Sequence, residues 1–271
     1  MGFYHPATLV KDAQHRGLRV RPIDVSFSNW RCTIEADGSL RLGFLYAQGL
    51  HKKTGLRIIK KRQETPFQNL EDFVKKCQLG KSDLVTLSEI GAFNCFNMKR
   101  REALWQIEKL SRPTGPLFRS ISFIPEDSYP LDDMDAFERL QADYHGTHLT
   151  TGPHPLELIR KSISEKGAIP VTQLSSLENF QRVRVAGCII ARQRPSTAKG
   201  FVFLSLEDET GISNIVINPR VFKKNKDTLI NHPFLLIEGI LQKDNNIVSI
   251  LADCFWVVKI EEPNVFSHDF H

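Results

Sequence analysis

Apolar positions along the chain follow two rhythms. From Arg182 onward they alternate or run in short blocks, the two-residue period of strands. Val183, Val185 and Ile189 alternate with Arg182, Arg184 and other residues. The turn cluster Pro195–Lys199 ends at Gly200, and Phe201–Leu206 is a short aromatic and branched run. Glu207–Gly211 is a polar turn, and Ile212–Ile217 is a third strand closed by Asn218 and Pro219. Phe234–Leu241 and Ile247–Val258 predict a fourth and a fifth strand, joined through Asp244-Asn245-Asn246. A short helix, Val221–Lys226, falls between the third and fourth. Gly187 and Gly239 interrupt strands, as expected where a small barrel bends sharply.

The first two thirds carry a mainly helical rhythm. A helix opens at Pro6, shows Leu9, Val10 and Ala13 on one face, and stops at Gly17. Leu18–Ile23 begins as an alternating strand broken by Pro22, and residues 30–44 form a hairpin turning at Asp37-Gly38. Residues 54–62, 83–90 and 98–110 are helical. Residues 66–77 form a helix with Leu70, Phe73 and Val74 on its core face. A further helix follows Asp132-Asp133-Met134-Asp135, and another starts at Pro155. The fold class is α+β and multi-domain. A tandem helix-hairpin-helix domain at 41–112 precedes a five-stranded all-β OB-fold barrel at 176–259, since five strands with a helix between the third and fourth is that plan. Residues 1–40 lead in, 113–175 form an acidic connector, and 260–271 form a loose tail.

Charge sharpens this division. The net charge is only +5, but Lys and Arg outnumber Asp and Glu by 15 to 7 over residues 39–112 and by 11 to 8 over 176–259. The connector reverses the balance, 5 to 9. Two basic blocks flanking an acidic one point to a polyanionic partner. No run approaches the ~18 apolar residues of a membrane helix, and the N-terminus has no secretory pattern. Five cysteines with no CxxC pair argue for reduced thiols in the cytoplasm.

Candidate chemistry is therefore sought among cations. In the helix-hairpin-helix region Gly49 and Gly91 mark two hairpins. A hairpin glycine lets the backbone approach a phosphate, and the N–H groups opening the next helix point at it. Lys52, Lys53, Lys60, Lys61 and Arg62 surround the first hairpin; Lys99, Arg100 and Arg101 follow the second. In the barrel, Arg182, Arg184, Arg192, Arg194 and Lys199 lie along one strand edge, followed by Phe201 and Phe203. That set suits a single strand, with cations meeting phosphates and rings stacking on bases. Asp132, Asp133 and Asp135 invite a two-metal reading, but aspartates at a helix start also cap exposed N–H groups. His145, His148 and His154 are separated by Gly146, Gly152 and Pro153 and cannot share a helix face. No catalytic or metal-ligating residue is assigned.

The string RVRVAGCIIARQRPSTAKGFVFLSLEDETGISNIVINPRVF resembles the OB domain of bacterial C-family DNA polymerases, the relatives of the replicative polymerase III alpha subunit. RQRPSTAKGFVF with LEDETG is most similar to the error-prone branch. MGFYHPATLVKDAQHRGLRVRPIDVSFSNWRC resembles the end of that branch's fingers region. RLGFLYAQGL, PFQNLEDF, LSEIGAFNCF and RREALWQI resemble its paired helix-hairpin-helix domain, and ADYHGTHLTTGPHPLELIR its lead-in to the OB domain. The order covers essentially the whole chain.

The resemblance implies the C-terminal portion of an error-prone DNA polymerase acting in replication and repair of damaged DNA. Nucleotide transfer, with Mg²⁺ on palm aspartates, lies in parts of the family absent here, so no cofactor is expected in this chain. DNA, duplex and single-stranded, is the expected partner, with no membrane. The alternative is a protein-interaction module for the sliding clamp or translesion-synthesis proteins. Leu117 and Phe118 would then be the remnant of the family's clamp motif, although its leading Gln is missing. His51 stands where the replicative relatives have a second hairpin glycine.

Overall fold

The computed structural model describes residues 5–110, 131–245, 247–260 and 268–270. It contains two compact units. One is made of residues 18–148; the other combines the first 17 residues with 149–271.

In the first unit, β1 (Val20–Arg21), β2 (Thr33–Ile34) and β3 (Leu40–Arg41) form a small sheet with β3 in the centre, parallel to β1 and antiparallel to β2. Its buried Arg41 donates to Glu35 at 2.7 Å and to the Pro22 carbonyl at 3.0 Å. The predicted strand around Pro22 is only two residues long, because proline removes a ladder donor. Four helices follow: α2 (Lys52–Glu64), α3 (Leu70–Cys77), α4 (Lys81–Glu89) and α5 (Arg100–Leu110). Phe67, Phe73 and Phe93 stack edge to face in their core, with ring centroids 5.0 and 5.1 Å apart. Leu70 and Phe73 are buried as predicted, whereas Val74 is only half-buried and Cys77 takes the inner position one turn on from Phe73. The unit closes with α6 (Ala136–Thr147), headed by a full capping box between Asp135 and Glu138.

The second unit begins with α1 (Pro6–His15) and resumes with α7 (Pro155–Glu165). Buried Lys11 donates to the Gly152 carbonyl at 2.5 Å and Gln14 to the Thr151 carbonyl at 2.9 Å, which seats α1 against the segment before α7. The barrel strands are β4 (Arg182–Gln193), β5 (Val202–Asp208), β6 (Gly211–Ile217), β7 (Phe234–Asp244) and β8 (Ile247–Val257). Their order β5-β6-β8-β7-β4 closes through the β4–β5 pairing, with β6 parallel to β8. Short helices α8 (Pro219–Lys224) and α9 (Lys226–Asn231) connect the third strand to the fourth. Val185, Ile189, Leu206, Ile215, Leu235, Ile237 and Ile250 are among the fully buried residues inside. A methyl group on Gly187 would lie 2.3 Å from Leu206 and one on Gly239 2.3 Å from the Leu251 carbonyl, so both glycines mark tight crossings.

The EDETG turn is a structural hub. Buried Asp208 accepts hydrogen bonds from the N–H groups of Thr210 and Gly211 and, through its other oxygen, from Arg160 at 3.0 Å and the Val171 N–H at 2.9 Å. The tail expected to be loose differs at one place. His268–Phe270 forms β9, parallel to Ala191–Gln193. Pairing with β7 ends at Cys188, which leaves the far end of β4 with an open edge for another strand.

Candidate nucleic-acid interface

The two hairpins are built differently. In the first, Gly49 has φ of +75°, a conformation that favours glycine, and nothing lies within 4 Å of where a Cβ would be. Helix α2 then starts at Lys52 with His51 as its N-cap, no side-chain cap and no acidic residue in its first turn. His51, Lys52 and Lys53 are all exposed. Positive side chains at the positive end of a helix oppose the dipole, so this end attracts anions strongly. Lys60 is also exposed and makes no ion pair among the described residues. Lys61 pairs with Glu64 at 2.8 Å. Arg62 is turned inward, donating to the carbonyls of Val25 and Ser28 at 2.9 Å each and to Asn29 at 3.1 Å. It locks the loop before β2.

At the second hairpin Gly91 also has φ of +74°, but a Cβ there would lie 2.9 Å from Arg100 Nε. Arg100 pairs with Asp143 at 2.6 Å. Arg101 donates to the Asp132 carbonyl at 2.7 Å and pairs with Glu138, and Lys99 pairs with Asp133. The basic triplet and the acidic connector are thus each other's partners. Asp135 is the helix cap, and Asp132 and Asp133 hold cations through backbone and carboxylate. Among the described residues no three His, Cys, Asp or Glu side chains converge as a metal-ligand set.

The barrel divides its cations in the same way. Arg182 pairs with Glu238 at 2.6 Å and Asp253 at 2.9 Å, and Arg184 pairs with the same Glu238 and lies 5.4 Å over Trp256. The register sets Arg184 opposite Glu238, so this edge is neutralised from the neighbouring strands. Arg192 is buried and donates to the Leu229 carbonyl. Arg194 and Lys199 remain exposed on the turn after β4, Arg194 lying 5.6 Å over the Phe222 ring. Phe203 is 37% exposed and Phe201 half-buried. Cross-strand register aligns Phe203 with Val216 and Val216 with Leu251, and the next row is Ser205, Asn214 and Ser249. This outer face of β5, β6 and β8 is apolar at one row, hydrogen-bonding at the next, and free of carboxylates in both.

Sequence reasoning missed one group of cations. Arg220, Lys223, Lys224 and Lys226 on α8 and α9 are exposed and make no ion pair among the described residues. The run FKKNK carries the signal, but its helical pattern alone says nothing of a charged surface. Leu117 and Phe118 lie outside the described residues.

Two family models match the chain: a helix-hairpin-helix motif over residues 17–103 and an OB-fold nucleic acid binding domain over 183–258. Fold and matches together define a chain of paired nucleic-acid-binding modules, helical first and β-barrel second. Over nearly all its length the chain is homologous to error-prone DNA polymerases. It is 35% identical over 264 residues to that of Anaeromyxobacter sp. strain K, covering 93% of this chain and 23% of the relative. It is 36% identical over 261 residues to that of Brucella abortus biovar 1, covering 93% and 24%. With that of Alkalilimnicola ehrlichii it is 35% identical over 278 residues, covering 100% and 27%. The chain spans about a quarter of the length of these relatives. No helix among the described residues is long and apolar enough to cross a membrane.

Proposed function

We propose that this chain is the C-terminal DNA-holding region of an error-prone DNA polymerase that works on damaged DNA in the cytoplasm. The helix-hairpin-helix unit grips duplex backbone, and the barrel holds single-stranded template. Nucleotide transfer and its Mg²⁺ belong to the rest of the polymerase. The observation that carries the reading is the selective pairing of cations. Arg182 and Arg184 on β4 and Arg100 and Arg101 behind the second hairpin are bound to carboxylates, while the cations at Gly49–Lys53 and at Arg194–Lys199 make no ion pair among the described residues. Duplex contact is thereby assigned chiefly to the first hairpin, through Gly49, Lys52, Lys53 and the uncapped N–H groups of α2. Base stacking is assigned to Phe203 with Phe201 beside it, and phosphate contact to Arg194 and Lys199.

Fluorescence anisotropy of the purified chain with a labelled duplex carrying a single-stranded overhang tests this. Binding should weaken steeply with salt, and Phe203→Ala should weaken the overhang substrate about tenfold, since losing one base stack costs ~1–3 kcal/mol. Salt-insensitive binding, or none, would sink the proposal.

A further inference from the structure

We infer that the α8–α9 end of the barrel is a second phosphate track, along which single-stranded nucleic acid continues beyond the face of β5, β6 and β8. This rests on that face being the single-strand site. Four exposed cations, Arg220, Lys223, Lys224 and Lys226, fall within seven residues. Their only acidic neighbour in the two helices is Asp227, which accepts from Asn231 at 2.6 Å. The turn after β4 adds two more. Arg194 lies over Phe222, the buried residue of α8, and a Cβ on Gly200 would be 3.4 Å from Pro219 at the start of α8. Six cations thus sit at one end of the barrel.

Like charges held together raise the free energy of the folded chain, and a polyanion relieves that repulsion while releasing its own counterions. Elsewhere in this unit Arg160 and Arg182 are matched by carboxylates at 2.6 to 3.0 Å. Here the matching acid is missing among the described residues. The cluster also continues from the face of Phe203, because β5 starts at Val202 immediately after the Lys199–Gly200 turn. A linear chain of phosphates lying on that face therefore meets these cations next.

The test uses the full chain and fluorescence anisotropy with labelled dT8 and dT24 over a salt series. Lys223→Gln/Lys224→Gln/Lys226→Gln should weaken dT24 about tenfold at low salt. It should make the log–log salt slope shallower by about 2, from ~0.7 per phosphate contact on a single strand. Its dT8 affinity should stay within twofold of the parent chain. An unchanged dT24 slope would overturn the track, and so would equal weakening of dT8 and dT24, which would place the charges on the primary face. Lys161→Gln/Lys166→Gln, on α7 of the same unit, should leave both lengths unaltered; an equal loss there would also overturn it. Anionic vesicles form a second arm. Vesicle binding lost in the triple variant with dT24 slope intact would assign the surface to lipid instead. Phe203→Ala reports on the underlying reading separately, since it should weaken dT8 whether or not the track exists.

Discussion

Arg100 and Asp143 meet at 2.6 Å with 14% and 15% of their side chains exposed. The cation beside the second hairpin glycine therefore holds α5 to α6. Arg100→Ala leaves Asp143 without its main partner in a mostly buried place, and such breaks cost about 3 kcal/mol. Urea unfolding should show a loss of that order, with Arg100→Ala/Asp143→Ala recovering part of it. A loss below ~0.5 kcal/mol would put the pair in the class of exposed ion pairs.

At the first hairpin Lys52 and Lys53 make no ion pair with a carboxylate among the described residues. The double change Lys52→Gln/Lys53→Gln should leave thermal stability within a degree or two, or raise it slightly, because it removes cations from the positive end of α2. It should lower duplex affinity and reduce the salt slope by about 2, roughly one unit for each phosphate no longer neutralised. A salt slope identical to the parent's would exclude these lysines from the duplex site.

Phe180 has φ of +66° and is 70% exposed, held there by an N–H bond to the Leu241 carbonyl at 2.9 Å. A non-glycine residue in this conformation is strained by about 1 kcal/mol. Phe180→Gly should relieve that strain, and at this positive φ the relief outweighs the added freedom of the unfolded chain. Phe180→Ala keeps the strained backbone, so it should be less stable than Phe180→Gly by up to ~1 kcal/mol in chemical denaturation.

A buried pair gives the barrel unit a pH signature. His154 Nδ1 accepts from the Leu156 N–H at 3.2 Å, and its Nε2 lies 3.9 Å from Glu207. Burial, reinforced by Lys11, His15 and Arg160, pushes His154 down to about 3. Burial, opposed by Lys11 and helped by Asp12 and Asp208, pushes Glu207 up to about 8. The unfolded chain holds the extra His154 proton between about pH 3 and 6.5, so stability rises with pH there. The folded chain holds the extra Glu207 proton between about pH 4.5 and 8, so that contribution falls with pH over that window. The two cancel between about 4.5 and 6.5, and a net decline follows up to about 8. Glu207→Gln should remove the decline, its melting temperature gaining on the parent's from pH 6.5 to 8. An equal pH dependence in both would show that Glu207 is ionised in the folded protein.

Much of the architecture was legible because the barrel strands are apolar and punctuated by polar turns, so the two-residue rhythm survives tertiary packing. The fate of the cations was not. Arg182 and Arg184 look free in a linear reading, and only the register that sets Glu238 opposite Arg184 reveals their neutralisation. Two acids, Glu238 and Asp253, inside otherwise apolar strands were the available signal. Lys99–Arg101 and Asp132–Asp133 are more than thirty residues apart, so their pairing depends on how α5 and α6 pack. In the sequence Arg62 looks like its lysine neighbours, though its planar donors suit three acceptors in a fixed loop as lysine's would not. The home of α1 was equally hidden, because its partners lie beyond residue 148.

That last placement bears on how the chain folds. Lys11 and Gly152 touch across 141 positions of sequence. Closing so long a loop from an open chain has an entropy cost that grows with its length, whereas an already folded insert shortens the effective loop. Residues 18–148 should therefore gain protection from hydrogen exchange before α1 does, and α1 should dock last. A barrel unit cut to begin after residue 17 would leave the seat for α1 uncovered along Thr151 and Gly152.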